Sequence, residues 1–284
     1  MFSLRQRHPA AVPAFWRYAG RVSIFRGDVL AGRVALVTGG GSGICKGIAR
    51  AYAAHGARVC LVSRKEEVLR AAADELGAET GTEVMWSAAD VRQPDQLARA
   101  VAACADRFGG LDTLVNGAAG NFLAPAAALS SNAFKTVIEI DLVGTFNACK
   151  AAFDLLCQSK RGLILNLSAT LQAHGTPLQA HASSAKAGVD QLTRSLAVEW
   201  GPFGVRAVAI APGPIGDTEG MRRLAPGELG RRLVKQIPLG RLGTVAEIAD
   251  LAVYLATDAA SYVTGAIYVM DGGHSVAAPS FLQE

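Results

Sequence analysis

The sequence predicts a doubly wound α/β fold, a seven-stranded parallel sheet with helices on both faces. From Arg33 onward, short continuous apolar runs alternate with longer amphipathic ones. Runs that are apolar throughout belong to strands buried on both faces. The stretches between them are long enough to form the crossovers that parallel strands require. A glycine-rich turn sits between the first apolar run and the first amphipathic one, the order of a strand, turn and helix that together receive a dinucleotide.

The elements follow in order. Val34-Ala35-Leu36-Val37 is the first strand, and the helix after its turn runs to about His55. Arg58-Val59-Cys60-Leu61-Val62 is the second, followed by a helix over residues 66–76. Residues 84–88 form the third, with a helix over residues 93–108, and Thr113-Leu114-Val115 is the fourth. Residues 163–167, 205–210 and 266–269 complete the series, the first two each after a long helical segment. No repeat, linker or low-complexity stretch divides them, so residues 31–284 are expected to form one dinucleotide-binding catalytic domain of Rossmann type.

Composition narrows the class. Half of the 284 residues are hydrophobic, enough for a packed core and too many for extensive disorder. No stretch of roughly 18 uncharged apolar residues occurs, so no membrane span is expected. The formal charge of +4 is too mild to point to nucleic acid, although it tolerates an anionic ligand. Cys45, Cys60, Cys104, Cys149 and Cys157 are odd in number and lack a CxxC pair, which predicts reduced, buried thiols rather than disulfides or a metal site. Residues 1–30 carry Arg5, Arg7, Arg17, Arg21 and Arg26 against the single acid Asp28. They read as a basic arm, with an organelle presequence as the alternative. The chain closes on Phe281-Leu282-Gln283-Glu284 without a peroxisomal or reticulum-retention tripeptide, and a cytoplasmic location is expected.

The turn Thr38-Gly39-Gly40-Gly41-Ser42-Gly43-Ile44-Cys45 lets the backbone approach a pyrophosphate at a helix N-terminus. Cys45 occupies the place of a third glycine, where helix and strand would otherwise pack closely. The second strand ends in Ser63-Arg64-Lys65. Arg64 there would pair with a ribose 2′-phosphate, where a carboxylate would favour a free hydroxyl, so NADP(H) is the expected cofactor. A solvated Arg-Lys pair is the plain alternative. Asp90, after the third strand, is placed to accept from an adenine amino group, or else is a solvated loop residue.

These features, with residues 116–120 after the fourth strand, Pro212-Gly213-Pro214-Ile215 after the sixth, and the closing Tyr262-Val263-Thr264-Gly265 and Asp271-Gly272-Gly273, resemble the short-chain dehydrogenase/reductase superfamily over residues 33–274. The resemblance implies that Asn116, Ala118 and their neighbours floor the cofactor, that Gly213 and the Ile215 backbone meet the nicotinamide side, and that Thr218 assists. The superfamily's usual site places a Tyr one helical turn before a Lys, and a Ser upstream of both. Lys186 is present, but the Tyr position is Ala182 and the Ser position is Ala169. Ser183, Ser184 and Thr170 are displaced substitutes, yet one residue on a helix rotates a side chain by roughly 100°. Ordinary ketone chemistry is thereby weakened.

A second departure lies on the next helix. Phe134, Val137, Ile138, Asp141, Thr145, Ala148 and Cys149 recur at helical spacing, which puts Asp141 on the buried stripe. A buried carboxylate needs a partner or a proton, and Lys186 is the available cation; a solvated Asp on a helix flank is the alternative. This combination resembles the 2,4-dienoyl-CoA reductases of peroxisomal type, through residues 118–123, 128–137, 144–147, 196–202 and 211–224. That branch also lacks the Tyr, and an Asp and a Lys position a water as proton donor, roles that fall on Asp141 and Lys186. The resemblance implies an acyl-CoA substrate met by Arg64, Arg92 and Arg223, with Phe122, Ser130, Ser131 and Asn132 near its thioester and acyl portion. Arg64 is therefore claimed by cofactor and substrate alike.

The rivals are a trans-2-enoyl-CoA reductase, a 3-ketoacyl or sugar reductase using a displaced hydroxyl, and a catalytically silent NADP-binding regulator. His174 and His181 are expected as hydrogen-bonded structural residues. Residues 216–231 form a mobile lid or an ordered surface loop. Relatives are commonly tetramers or dimers, and Ala148, Ala151 and Ala152 offer a small-residue face for such a homo-oligomer.

Overall fold

The computed structural model describes residues 23–224 and 227–277. Most of the basic arm and the closing tetrapeptide lie outside the described residues. Seven strands form one sheet: β1 (Val34–Thr38), β2 (Arg58–Ser63), β3 (Val84–Ala88), β4 (Thr113–Asn116), β5 (Leu163–Leu167), β6 (Arg206–Pro212) and β7 (Ile267–Met270). Their spatial order is β3-β2-β1-β4-β5-β6-β7, and every neighbouring pair is parallel. β1, β4 and β5 are buried along their whole length, which is why their runs are continuously apolar and do not alternate.

The helices are α1 (Gly43–Ala54), α2 (Glu66–Thr80), α3 (Pro94–Phe108), α4 (Ser131–Ile138), α5 (Gly144–Gln158), α6 (Ala180–Trp200), α7 (Glu219–Leu224), α8 (Glu228–Gln236) and α9 (Val245–Ala256). Their ends follow local chemistry. Pro94 opens α3 and Gly109 closes it in the left-handed region. Thr244 and Glu247 form a reciprocal cap on α9. Residues of α1, α2 and α9 pack on one face of the sheet, and residues of α3, α5 and the end of α6 on the other.

Several expectations are corrected. Leu30 is buried, and Phe25 and Val29 pack against the same core, so the packed body begins before residue 31. Cys157 is part exposed, unlike the four buried thiols. Ala148 and Ala152 face the subunit's own core and are not free to form an outer face. Residues 216–231 carry α7 and the start of α8. The helix expected after β4 contains a wide turn at Glu139–Val143, where the chain takes π-type hydrogen bonding between α4 and α5. Such turns are uncommon and gather at functional sites.

The cysteine in the third glycine position is accommodated by another glycine. A Cβ on Gly117, just after β4, would overlap the Cys45 Sγ. The bare backbone at 117 supplies the space that a glycine at 45 would otherwise have left. Gly117→Ala is therefore expected to destabilise the protein by about 1–3 kcal/mol, as overpacking does. The same change in a Cys45→Ala background should cost markedly less, a coupling measurable by urea denaturation of the four proteins in the cycle.

Candidate active site

β1 and β4 are neighbours whose connections leave in opposite directions across the sheet, so a crevice opens at their carboxyl ends. A cavity of about 730 Å³ occupies it. One wall is the first turn: Gly39, Ser42, Gly43 and Ile44 border the space. Gly39 has φ 71°, and a Cβ there would lie 2.9 Å from the Gly117 carbonyl oxygen, so the turns after β1 and β4 can meet only through glycine. Ser42 precedes α1 without a side-chain cap, leaving the N–H groups of the first turn for an anion. Arg64, Asp90, Ala118, Lys186, Pro212 and Thr218 complete the part of the lining that sequence assigned to a cofactor. Open backbone donors, a cation after β2 and an acid after β3 fit a nicotinamide dinucleotide.

Lys186 joins this lining to a buried acid, Asp141, which is not itself part of it. Asp141 and Lys186 are both buried, and Asp141 Oδ2 lies 3.4 Å from Lys186 Nζ. The Gly120 amide donates to Asp141 Oδ1 at 2.7 Å, and Lys186 Nζ donates to the Leu167 carbonyl oxygen at 2.8 Å. The Asp141 carbonyl oxygen accepts from Thr145 Oγ at 2.6 Å within the wide turn. Burial pushes the Asp141 carboxyl above its ordinary range, and Lys186, the Gly120 amide and His181 pull against that shift. Lys186 also lines the cavity and has three donors, so it can serve the pair and a ligand at once.

Other expected residues fall into two groups. Phe122 and Arg223 border the cavity beside Arg64. Arg92 does not: it is clamped on Asp90, donating to both carboxylate oxygens, and holds that carboxyl below the usual range. Asp90 thus meets any ligand with its oxygens already engaged. Asn116 turns into the sheet interior, donating to Asn166 Oδ1 at 3.0 Å and towards Cys149 Sγ; the floor is made by Gly117, Ala118 and Ala119. Gly41 faces α2 through Val68. Gly213 and Ile215 stand behind Pro212, outside the lining. Ser130 caps α4 by accepting from the Ala133 amide at 3.1 Å, and Ser131 and Asn132 are exposed on the turn that follows.

The displaced hydroxyls do not reach the space. Thr170 and Ser183 are absent from the lining, and Ser183 Oγ is buried without a protein partner. Ser168, which sequence did not single out, borders the cavity; the superfamily's spacing falls on the next position, Ala169. Cys45 borders it too, with burial pushing its thiol up to about 12, which leaves it inert as a nucleophile. His181 corrects its expectation, being fully buried with neither ring nitrogen partnered in the protein. His174 lies edge-on to His274 with centroids 6.1 Å apart.

Comparison with known proteins agrees with this geometry. A family profile described as Enoyl-(Acyl carrier protein) reductase matches residues 39–275. The chain is 48% identical over 251 residues to the (3E)-enoyl-CoA-producing peroxisomal 2,4-dienoyl-CoA reductase of Danio rerio, covering 88% of this chain and 84% of that one. The chain belongs to the short-chain dehydrogenase/reductase family. It is also 42% identical to a probable (2E)-enoyl-CoA-producing 2,4-dienoyl-CoA reductase of Bacillus subtilis, over 85% of this chain and 96% of that one. Among solved structures, a short chain dehydrogenase of Bacillus anthracis matches with a TM-score of 0.77 and 39% identity, covering 86% of this chain and 97% of that one. Within the family the chain is an oxidoreductase that uses a nicotinamide cofactor, and it carries Ala182 and Ala169 where the usual phenol and hydroxyl stand.

The raised carboxyl has a stability consequence. The folded state holds the Asp141 proton more tightly than the unfolded chain does. Stability from this group is therefore present at low pH and lost as pH rises between the ordinary carboxylate range and the raised folded value. Asp141→Asn carries no such proton. Urea denaturation as a function of pH should show the wild type losing stability relative to this variant on going upward from about pH 4.

Proposed function

We propose that this protein reduces 2,4-dienoyl-CoA to trans-3-enoyl-CoA with NADPH, in the degradation of unsaturated fatty acids. The observation that carries the reading is the buried Asp141–Lys186 pair, whose lysine borders the cavity, with Ala182 and Ala169 standing where the family's usual Tyr and Ser would protonate a ketone. The names of the 48% and 42% identical relatives support the substrate class.

When bound, the reduced nicotinamide supplies a hydride from its C4. A dienoyl thioester accepts that hydride at C5, and the electron pairs shift through the conjugated carbons onto the thioester oxygen. The resulting dienolate takes a proton at Cα, which leaves the double bond between C3 and C4. The chain's task is to place that proton. Asp141 accepts and Lys186 donates, so together they hold a water whose proton passes to Cα. The fixed Gly120 amide keeps one carboxylate oxygen engaged, which directs the other toward the Lys186 ammonium. Arg64 meets the 2′-phosphate or the CoA, and Arg223 meets the CoA phosphates. Phe122 borders the thioester. Arg92 serves through Asp90, whose position it sets. A cytoplasmic homo-oligomer is the expected setting.

The alternative product is a trans-2-enoyl-CoA, favoured by the name of the Bacillus subtilis relative; a trans-2-enoyl-CoA reductase is favoured by the matching profile's description. Loss of NADPH absorbance with 2,4-hexadienoyl-CoA, crotonyl-CoA and acetoacetyl-CoA separates the readings. Turnover with the dienoyl thioester, faster with NADPH than with NADH and yielding the 3-enoyl isomer, is expected. Turnover with crotonyl-CoA alone, or none with any of the three, would overturn the proposal. Asp141→Ala should lower turnover by roughly 10²–10⁴-fold, the range of general acid–base assistance, while NADPH binding followed by fluorescence is retained.

A further inference from the structure

The segment that leads into α6 grips the loop after β4 at three places. The Leu178 carbonyl oxygen accepts from the Ala124 amide at 2.9 Å, and Gln179 Oε1 accepts from Asn121 Nδ2 at 2.6 Å. Leu178 does so with φ 65°, a left-handed conformation that a branched side chain seldom adopts. The third grip is His181, whose ring stands edge-on to Phe122 with centroids 4.3 Å apart and planes at 70°. From the opposite side, Asp141 holds the same loop through the Gly120 amide.

His181 is an odd choice for such a brace. An imidazole carries at least one N–H donor and, when neutral, one acceptor. Here both nitrogens are buried without a protein partner, and the neighbouring cluster of Val137, Ala182 and Ala185 is apolar. Unpaired polar atoms in such a place are costly, and a hydrocarbon ring would pack against Phe122 without that cost. The nitrogens therefore call for a role besides packing: the loop that the ring braces at Phe122 is the one whose Gly120 amide holds Asp141, and that carboxyl also feels His181 electrostatically.

We propose that His181 is a positioning residue of this site: through it, the helix that carries Lys186 fixes Phe122 and Asp141 relative to each other. The inference rests on the dienoyl-CoA reading, in which Phe122 borders the thioester and Asp141 holds the proton-delivering water. The ring edge supports Phe122 and so acts on acyl-CoA binding. The nitrogens act on Asp141 and so on the proton step. Among the described residues, the titratable side chains whose charge bears on Asp141 are Lys186 and His181, both from α6.

Steady-state kinetics with 2,4-hexadienoyl-CoA separates the two effects. His181→Phe keeps an aromatic edge and removes both nitrogens. It should lower kcat by roughly 10–100-fold, as misplacement of a reacting group does, with KM nearly unchanged and the acid limb of kcat moved to higher pH. His181→Ala should in addition raise the acyl-CoA KM by roughly 2–10-fold, the range of one edge-to-face contact. His181→Asn should recover part of kcat, and NADPH affinity should hold in all three. A folded His181→Phe enzyme with wild-type kcat and pH profile would overturn the inference. Should the variants fail to fold, imidazole ¹⁵N NMR of the wild-type enzyme decides. The His181 resonance should move when trans-3-hexenoyl-CoA is added to the NADP⁺ complex, and an unmoved resonance overturns the role. Wild-type enzyme that fails to turn over the dienoyl thioester would instead overturn the activity itself, a result distinct from any variant's.

Discussion

An acid and an amine held out of water beside each other impose more on this molecule than any apolar contact does. Neither charge could stay buried alone, because desolvation would neutralise it or expel it. Each therefore dictates its surroundings. Asp141 requires the Gly120 amide, which ties down the loop after β4. Lys186 requires the Leu167 carbonyl oxygen, which ties α6 to the end of β5. The wide turn at Glu139–Val143 presents the carboxylate to both. The cavity keeps its shape because these tethers converge on it from three elements.

On the proposed reading, the same pair redirects the chemistry of the scaffold. A phenol aimed at a carbonyl suits reduction of a ketone, where the proton goes to oxygen. A conjugated thioester asks for a proton on carbon, after charge has moved along the chain of double bonds. A carboxylate and an ammonium that order a water can meet that need, with alanines at 182 and 169 in place of the two hydroxyls. On that reading, electrostatic placement takes over from a covalently fixed donor.

Much of this was readable in the chain. Strands such as Leu163-Ile164-Leu165-Asn166-Leu167 declare themselves because burial on both faces demands continuous apolar runs. Asp141 stood out because an acid on an apolar stripe must be answered by a cation. What stayed hidden depends on distances between segments far apart in sequence. The wide turn leaves no local mark, since its hydrogen bonds shift without unusual residue types. Asn116 looked like part of the cofactor floor, yet its side chain satisfies Asn166 across the sheet. The resemblance gave Arg92 to the acyl-CoA, and only the folded chain shows its side chain turned back on Asp90. His181 looked like any helix histidine until the ring of Phe122 was placed against it.

Cys45 and Gly117 touch across the first crevice, and their contact bears on how this lineage could have diverged. The thiol at 45 fits only where position 117 is bare backbone. Descent from a three-glycine ancestor would then have a direction: the residue at 117 had to become small first, and the thiol could arrive afterwards. Once both were in place, the way back through a larger neighbour was closed, so a neutral accident of packing would have become a one-way step in the history of the chain.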